Sequence, residues 1–174
     1  MSLREIYLAG GCFWGTEKYL SLLHGVVRTQ AGYANGATKN PTYEQVCAGS
    51  GHAEVVKVTY DDAQITLPFL LSMYFESIDP TAVNHQGGDH GVNYRTGIYY
   101  TDERDLPVIG EAIRKLAARH RDPIAVEVKP LNNYAPAEEY HQRYLDKFSG
   151  GYCHINRVQM ERAANVRDPD AEIQ

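Results

Sequence analysis

The stretch LAGGCFWGTEKY, residues 8–19, is the place where an apolar strand pattern ends and a helical pattern begins. A strand is predicted over residues 5–9, and the paired glycines that follow it are typical of a sharp turn. From Phe13 onward, apolar residues recur at the spacing of one helical face. Cys12 is therefore predicted to lie on a strand-to-helix corner, at the N-terminus of the helix.

The rest of the chain alternates strand and helix patterns outward from this corner. Further strands are predicted over residues 26–33, 53–60, 96–101 and 124–128, and further helices over residues 67–78, 104–120 and 137–148. Residues 149–174 show no core periodicity and are predicted to form an irregular tail. Since no repeat or linker divides the chain, we expect a single domain over residues 1–174, built as an α+β or α/β sandwich with helices packed on a sheet.

The overall charge and the absence of long apolar runs limit the possible partners. The net charge is -5 at pH 7, whereas nucleic-acid binding needs clustered Lys and Arg. The densest basic run, residues 114–121, is interpreted as the solvated face of a helix. No apolar run approaches the roughly 20 residues of a membrane helix, and the N-terminus lacks the apolar region of a signal peptide. We therefore expect a cytoplasmic protein with neither a nucleic-acid nor a membrane partner.

The three cysteines, Cys12, Cys47 and Cys153, are too few for a structural disulfide framework in a chain without a secretion signal. Cys12 is the candidate nucleophile, because the N–H groups and the positive dipole end of a helix N-terminus favour thiolate over thiol. We expect its pKa to fall below the ordinary value of about 8.5. A buried, unreactive cysteine is the alternative, but Gly10 and Gly11 favour the nucleophile because they permit a close approach of substrate.

Residues that could assist this thiol occur on both sides of the predicted corner. Phe13 and Trp14 either begin the helix core or form an apolar slot beside Cys12 that suits a methyl group. Glu54 lies on the strand face that we expect to point inward, where burial would raise its pKa enough for a general acid. A strand-end residue that reaches solvent is the alternative for Glu54. His52 is interpreted as either a base or a surface residue of the preceding turn.

Cys153 opens the predicted tail in the context Gly-Gly-Tyr-Cys. A mobile thiol at this position could condense with an oxidised Cys12 to form a disulfide. A tail cysteine without a role is the alternative, and the position alone does not exclude it.

Other site types fit the residues less well. The spacing of Gly10, Gly15 and Thr16 imitates a phosphate-binding loop but lacks the lysine, and no cysteine or histidine pair has the spacing of zinc ligands. We expect neither a metal nor a cofactor. Two alternatives of other classes stay open: a Cys-His amidohydrolase, which needs a histidine beside Cys12 and has no use for Cys153, and a non-catalytic module that binds oxidised peptides.

Five blocks of the sequence resemble one known family, the A-type peptide methionine sulfoxide reductases. The blocks are GGCFWG (residues 10–15), GHAEVVKVTYD (51–61), NHQGGDHGVNYRTGIYY (84–100), PAEEYHQRYL (136–145) and GYCHI (151–155), and they occur in the family's order. The resemblance implies reduction of the S epimer of methionine sulfoxide, free or in proteins, as repair of oxidative damage. It also implies a ferredoxin-like two-layer α/β sandwich, with a mixed sheet, packed helices and a long irregular C-terminal coil.

The resemblance further implies roles for individual residues. Cys12 would attack the sulfoxide sulfur and become a sulfenic acid, while the substrate methyl rests against Phe13 and Trp14. Glu54 would protonate the sulfoxide oxygen. The remaining substrate-binding residues would be Tyr43 and Tyr94, which hydrogen-bond that oxygen, and Asp89, which helps to position the site.

The resemblance assigns recycling to Cys153, which would form a disulfide with Cys12 that thioredoxin reduces. Cys47 matches a non-catalytic position of the family and is interpreted as structural. The segment CAGSGHAE, residues 47–54, is one residue shorter than the usual form, so the turn before Glu54 is expected to differ slightly. The expected partners are thus thioredoxin and proteins or peptides that contain methionine sulfoxide.

Overall fold

The computed structural model describes residues 2–172 and arranges them around one six-stranded sheet. The strands are β1 (Leu3–Gly10), β2 (Val26–Ala34), β3 (Ala53–Asp61), β4 (His85–Gln86), β5 (Asp89–His90), β6 (Thr96–Tyr100), β7 (Glu127–Pro130) and β8 (Ala135–Pro136). The helices are α1 (Phe13–Ser21), α2 (Tyr43–Cys47), α3 (Leu67–Glu76), α4 (Leu106–Ala117), α5 (Tyr144–Lys147) and α6 (Arg157–Asn165). Single tight helical turns cover Val92–Tyr94, Glu103–Asp105 and Glu139–His141.

The strand order of the sheet is β7-β6-β1-β3-β2-β8, and β4 pairs with β5 in a separate hairpin. All neighbours in the large sheet are antiparallel except β6 and β7, which are parallel. In the central pair Leu8 lies opposite Val56. Because the two strands run in opposite directions, the end of β1 and the beginning of β3 meet at the same edge of the sheet. This register brings the corner at Cys12 next to Glu54.

Both faces of the sheet are covered. The face toward α1 and α3 contributes to the main core, with Ile6, Leu8, Val56, Val58 and Tyr60. The opposite face carries a smaller cluster with Tyr7, Ala9, Val55, Tyr99 and the packed ring of Tyr134. Glu54 has the same parity as Val56 and therefore points to the helix-bearing face, which confirms the predicted alternation.

The predicted mixed sheet with packed helices is confirmed. α3 begins where its sequence indicates, since the Thr66 hydroxyl accepts a hydrogen bond from the Phe69 backbone N–H and Pro68 occupies the first turn. The order of the main elements is strand, helix, strand, strand, helix, strand. This order is compatible with the ferredoxin-like comparison, which stays a prediction. Within residues 2–172, no helix is both long and apolar enough to cross a membrane.

The prediction of one continuous helix over residues 137–148 is wrong. The segment holds only the turn Glu139–His141 and the short helix α5, separated by Arg143 in the left-handed conformation at φ 51. The backbone N–H of Arg143 donates instead to the Glu17 carboxylate of α1, at 2.8 Å. A long-range contact has therefore replaced the continuation of the helix.

The C-terminal segment, predicted to be irregular, contains the helix α6. Asn156 caps it, with reciprocal hydrogen bonds between Asn156 and Gln159, and Ala163 on its inner face is fully buried. The residues of this N-cap are visible in the sequence. Ala163 is the buried residue of α6, however, and a single buried position does not produce a helical periodicity of apolar residues. Residues 1, 173 and 174 of the predicted domain lie outside the described residues.

Candidate active site

The Cys12 corner depends on the backbone of the two residues around it. Cys12 is the N-cap residue of α1 and is 8% exposed. Gly11 has φ +87, and a Cβ there would lie 2.7 Å from Cβ of Gln86. Only glycine meets both conditions without strain. The corner therefore places the thiol between the end of β1 and the start of α1, as the sequence predicts.

Glu54 is held by two donors in a fully buried position. The backbone N–H of Phe13 donates to Oε1 at 3.1 Å, and Nδ2 of Asn93 donates to Oε2 at 3.4 Å. Burial raises the pKa of Glu54 to about 8, although both hydrogen bonds act in the opposite direction. The carboxyl therefore keeps its proton at neutral pH, and the solvent-exposed alternative is wrong.

The predicted lowering of the Cys12 pKa is wrong. Burial raises the pKa of the thiol, and the negative charge of Glu54 raises it further. The backbone N–H of Trp14 favours the thiolate, as expected at a helix N-terminus, but it does not outweigh these causes. A proton on Glu54 removes this charge, so the pKa of Cys12 depends on the protonation state of Glu54.

An aromatic wall flanks the thiol and centres on a histidine. Phe13 is buried, and its ring centroid lies 5.6 Å from that of Tyr33 and 5.2 Å from that of His141. Trp14 is half-buried and stacks on Tyr144 at 3.8 Å with an interplanar angle of 8°. The predicted slot beside Cys12 thus has apolar rings available on two consecutive residues.

Burial is the main cause that keeps both predicted tyrosines protonated, and the charge of Glu54 adds to it once that carboxyl ionises. Burial raises the pKa of Tyr94 to about 12, and the charges of Glu54 and Asp89 act in the same direction. Burial is also the main cause of the raised pKa of Tyr43. Its hydrogen bond to Cys47 and the charge of Glu54 raise this pKa further. Both phenols are therefore neutral donors at physiological pH.

Asp89 lies in β5, and its charge raises the pKa of both Cys12 and Glu54. The hairpin that carries it is fixed by Gln86, whose side chain accepts from the Asp79 N–H at 2.9 Å and donates to the Asp79 carbonyl at 2.8 Å. Asp89 is therefore close enough for its charge to act on both the thiol and the acid.

Cys153 approaches the first turn of α1. A Cβ at Gly15 would lie 2.9 Å from Sγ of Cys153, so the thiol packs where Gly15 has no side chain. The Cys153 thiol is half-buried and donates to the Ile155 carbonyl at 3.2 Å. Cys12, Cys153 and the exposed Cys47 are all free thiols.

His52 is neither a base beside Cys12 nor a surface residue, the two roles that the sequence suggested. It is fully buried, its Nε2 lies 2.8 Å from the Thr38 carbonyl, and its Nδ1 lies 2.8 Å from the Ser50 hydroxyl. Nε2 must donate to the carbonyl, so Nδ1 accepts from Ser50. The ring fixes the loop before β3.

Among the described residues no histidine hydrogen-bonds to Cys12, which leaves the amidohydrolase alternative unsupported.

Sequence reasoning missed several contributors to the site. Asn93, His141 and Tyr144 all lie within the family-like blocks, yet no role was assigned to them. The wrong helix over residues 137–148 concealed His141 and Tyr144, because it would have placed them on a helix surface.

Within residues 2–172, no group of three or more His, Cys, Asp or Glu side chains could hold a metal.

Comparisons with known proteins agree with this geometry. The family model described as Peptide methionine sulfoxide reductase matches residues 4–172. Peptide methionine sulfoxide reductase MsrA of Lachnoclostridium phytofermentans is 56% identical over 164 residues, 94% of this chain and 99% of the relative.

Two solved structures of one yeast protein are also similar. Mxr1 from Saccharomyces cerevisiae in reduced form has a TM-score of 0.84 at 36% identity, covering 88% of this chain and 91% of that chain. Mxr1 in complex with Trx2 has a TM-score of 0.57 at 27% identity, covering 82% and 84%. Because the family match runs through nearly the whole chain, from β1 to beyond α6, this chain belongs to the peptide methionine sulfoxide reductase family.

Proposed function

We propose that this chain reduces the S epimer of methionine sulfoxide, free or in proteins and peptides, to methionine. The observation that carries the proposal is the pairing of the Cys12 thiol with the Glu54 carboxyl, whose pKa burial raises to about 8. A carboxyl that holds its proton at neutral pH is the acid that a departing sulfoxide oxygen needs. Membership of the family supports the reaction class, which is that of an oxidoreductase.

In the first step Cys12 attacks the sulfoxide sulfur and forms an S–S bond, while Glu54 gives its proton to the sulfoxide oxygen. The oxygen then passes to the Cys12 sulfur, the new S–S bond breaks, and methionine leaves as a thioether. The proton that Cys12 lost returns to Glu54. One thiol and one sulfoxide thus become one sulfenic acid and one thioether, so the thiol is oxidised and the sulfoxide is reduced.

Substrate binding uses the groups around this pair. Phe13 and Trp14 hold the substrate methyl in the apolar slot, which orients the sulfur toward Cys12. Tyr43 and Tyr94 donate hydrogen bonds to the sulfoxide oxygen, a role that their raised pKa values support because both phenols stay protonated. Asp89 helps to position these groups.

Recycling uses Cys153. Its sulfur attacks the Cys12 sulfenic acid, a disulfide forms, and the hydroxyl oxygen leaves as water with the thiol proton of Cys153. The packing of Cys153 against Gly15, three residues after Cys12, supports this pairing. Thioredoxin then reduces the disulfide by thiol exchange. The structure of Mxr1 in complex with Trx2 supports this partner.

A cytoplasmic location is part of the proposal. The three cysteines are free thiols, and a reducing compartment both preserves them and contains the thioredoxin that the cycle consumes.

The test is a thioredoxin-coupled assay of NADPH oxidation with the two resolved epimers of a methionine sulfoxide peptide. We expect consumption of the S epimer alone and no turnover after Cys12→Ser. Mass spectrometry after one equivalent of substrate should show an added oxygen on Cys12 when Cys153 is changed to Ser. Consumption of only the R epimer, or unchanged turnover in Cys12→Ser, would overturn the proposal.

A further inference from the structure

His154 comes directly after Cys153 and packs against the corner that carries Cys12. A Cβ at Gly11 would lie 3.4 Å from Nε2 of His154, and a Cβ at Gly15 would lie 3.3 Å from its Nδ1. Gly11 and Gly15 stand on either side of Cys12 in the sequence. The two nitrogens of the imidazole therefore face the backbone on both sides of the candidate nucleophile.

The imidazole is also a neighbour of the Cys153 thiol. Sγ of Cys153 and Nδ1 of His154 lie 2.9 Å and 3.3 Å from one and the same point, the position of a Cβ at Gly15. The charge of Cys153 in turn acts on Cys12 and raises its pKa. The ring and the two thiols therefore meet at the first turn of α1.

Both ring nitrogens of His154 are buried, and neither has a hydrogen-bond partner in the part of the chain that the structure describes, residues 2–172. Buried polar atoms of folded proteins are nearly always paired, so an unpaired pair of ring nitrogens calls for an explanation. His52, by contrast, uses both of its nitrogens to fix the loop before β3. The His154 ring is left free to accept and release a proton.

The surroundings keep this ring neutral. Burial lowers the pKa of His154, while the backbone of Gly10 and the charge of Asp89 act in the opposite direction. The neutral imidazole, which can accept a proton, is therefore the form present at neutral pH. The titratable groups around the ring come from the corner, the β4–β5 hairpin and its own segment, and they are Cys12, Asp89, Tyr152 and Cys153.

The Cys153 thiol needs a base before it can act as a nucleophile. Burial raises its pKa, and its proton is directed at the Ile155 carbonyl at 3.2 Å. Thiolate, not thiol, is the attacking form in disulfide chemistry. A backbone carbonyl does not take up the proton, whereas a neutral imidazole beside the thiol does.

We propose that His154 is the general base of the recycling step, which takes the thiol proton of Cys153 and passes it to the oxygen that leaves Cys12. As the proton moves to the imidazole, the Cys153 sulfur attacks the Cys12 sulfenic acid, an S–S bond forms and the S–O bond breaks. The imidazolium gives its proton to the departing hydroxide, so the products are one disulfide, one water and a neutral His154. This inference rests on the proposed function, in which Cys153 closes a disulfide with Cys12.

A single turnover separates the recycling step from the reduction step. With one equivalent of methionine sulfoxide, methionine release reports reduction and the loss of free thiols reports disulfide closure. All chains carry Cys47→Ser, so that only the other two thiols are counted. We expect His154→Ala to slow thiol loss relative to methionine release by about 10²- to 10⁴-fold. His120→Ala, which changes an exposed histidine after α4, is the matched control and should close the disulfide at the wild-type rate.

Chemical rescue distinguishes a base from a residue that only packs. His154→Ala leaves space beside Gly11 and Gly15 for free imidazole. Thiol loss should then accelerate with imidazole concentration and with the basicity of substituted imidazoles of similar size, because general-base catalysis follows base strength. In the wild type, closure should slow as pH falls and protonates His154, with an inflection below the ordinary value of 6.5. This inflection should be missing in His154→Ala.

Closure at the wild-type rate in His154→Ala, or slow closure that free imidazoles do not restore, would overturn the inference. Hydrogen peroxide keeps the proposed function apart from it, because peroxide oxidises Cys12 directly to the sulfenic acid and is itself reduced to water. If the wild type closed the disulfide after peroxide but not after methionine sulfoxide, the proposed function would be refuted. The comparison of His154→Ala with the wild type would then be decided on the sulfenic acid formed by peroxide.

Discussion

The backbone N–H of Phe13 donates to Oε1 of Glu54 at 3.1 Å, so the residue after the thiol also holds the acid. Phe13 begins α1, and Glu54 is near the start of β3. The contact therefore joins the strand-to-helix corner to the neighbouring strand at the point where the chemistry takes place. The hydrogen bond thus ties the position of the acid to the corner that carries the thiol.

Activity should decline as Glu54 loses its proton. Since burial raises the pKa of Glu54 to about 8, we expect the rate of methionine release to fall above that pH. Glu54→Gln should lower the single-turnover rate by about 10²- to 10⁴-fold and remove the falling limb between pH 7 and 10. Glu111→Gln, which changes an exposed carboxylate on α4, serves as the control. A falling limb that persists in Glu54→Gln would assign it to another group.

The same carboxyl should make folding stability depend on pH. Its pKa is raised from 4.5 to about 8, so between these values the folded state holds a proton that the unfolded state has released. Its stabilising contribution is complete below the unfolded pKa and is lost as pH rises through the folded pKa. The loss should be on the order of a few kcal/mol. Urea unfolding from pH 4.5 to 9 should show a smaller decline in Glu54→Gln, and equal slopes would contradict the assignment.

Local sequence patterns predicted those parts of the site that depend on one element and its neighbour. The alternation in β3 placed Glu54 on the inner face, and the glycines before Cys12 indicated the corner. The helix predicted after Pro136 does not form, because the conformation of this segment depends on the contact of the Arg143 N–H with Glu17, which is distant in sequence. A helical spacing of apolar residues carries no information about such a partner.

The reversed direction of the Cys12 pKa has a similar cause. A helix N-terminus is visible in the sequence, and its backbone N–H of Trp14 does favour the thiolate. The burial of the thiol and its closeness to the Glu54 carboxyl arise only when β1 pairs with β3 in the folded protein, so the local sequence does not reveal them. In a buried site these causes outweigh the local dipole effect.

Loss of the recycling thiol should stop the cycle after its first turnover. We expect Cys153→Ser to release a single methionine per chain and then to stall with thioredoxin, because a serine cannot close the disulfide with Cys12. Dithiothreitol, which can condense directly with a sulfenic acid, should restore turnover. Cys47→Ser is the matched control, since Cys47 is exposed at the end of α2, and it should turn over normally. Continued thioredoxin-dependent turnover of Cys153→Ser would mean that Cys153 does not recycle the enzyme.

Gly15 should be required for the approach of Cys153 rather than for the helix. Alanine is the better helix former by up to about 1 kcal/mol, so Gly15→Ala would stabilise α1 if space allowed. Its Cβ, however, would lie 2.9 Å from Sγ of Cys153 and 3.3 Å from Nδ1 of His154, so the segment that carries Cys153 has to move. We expect slower loss of free thiols after one equivalent of sulfoxide, with methionine release less affected. Gly110→Ala on α4, where nothing lies within 4 Å of the new Cβ, should gain helix stability alone. If Gly15→Ala gained the same stability and closed the disulfide at the wild-type rate, the packing of Cys153 against α1 would have no part in recycling.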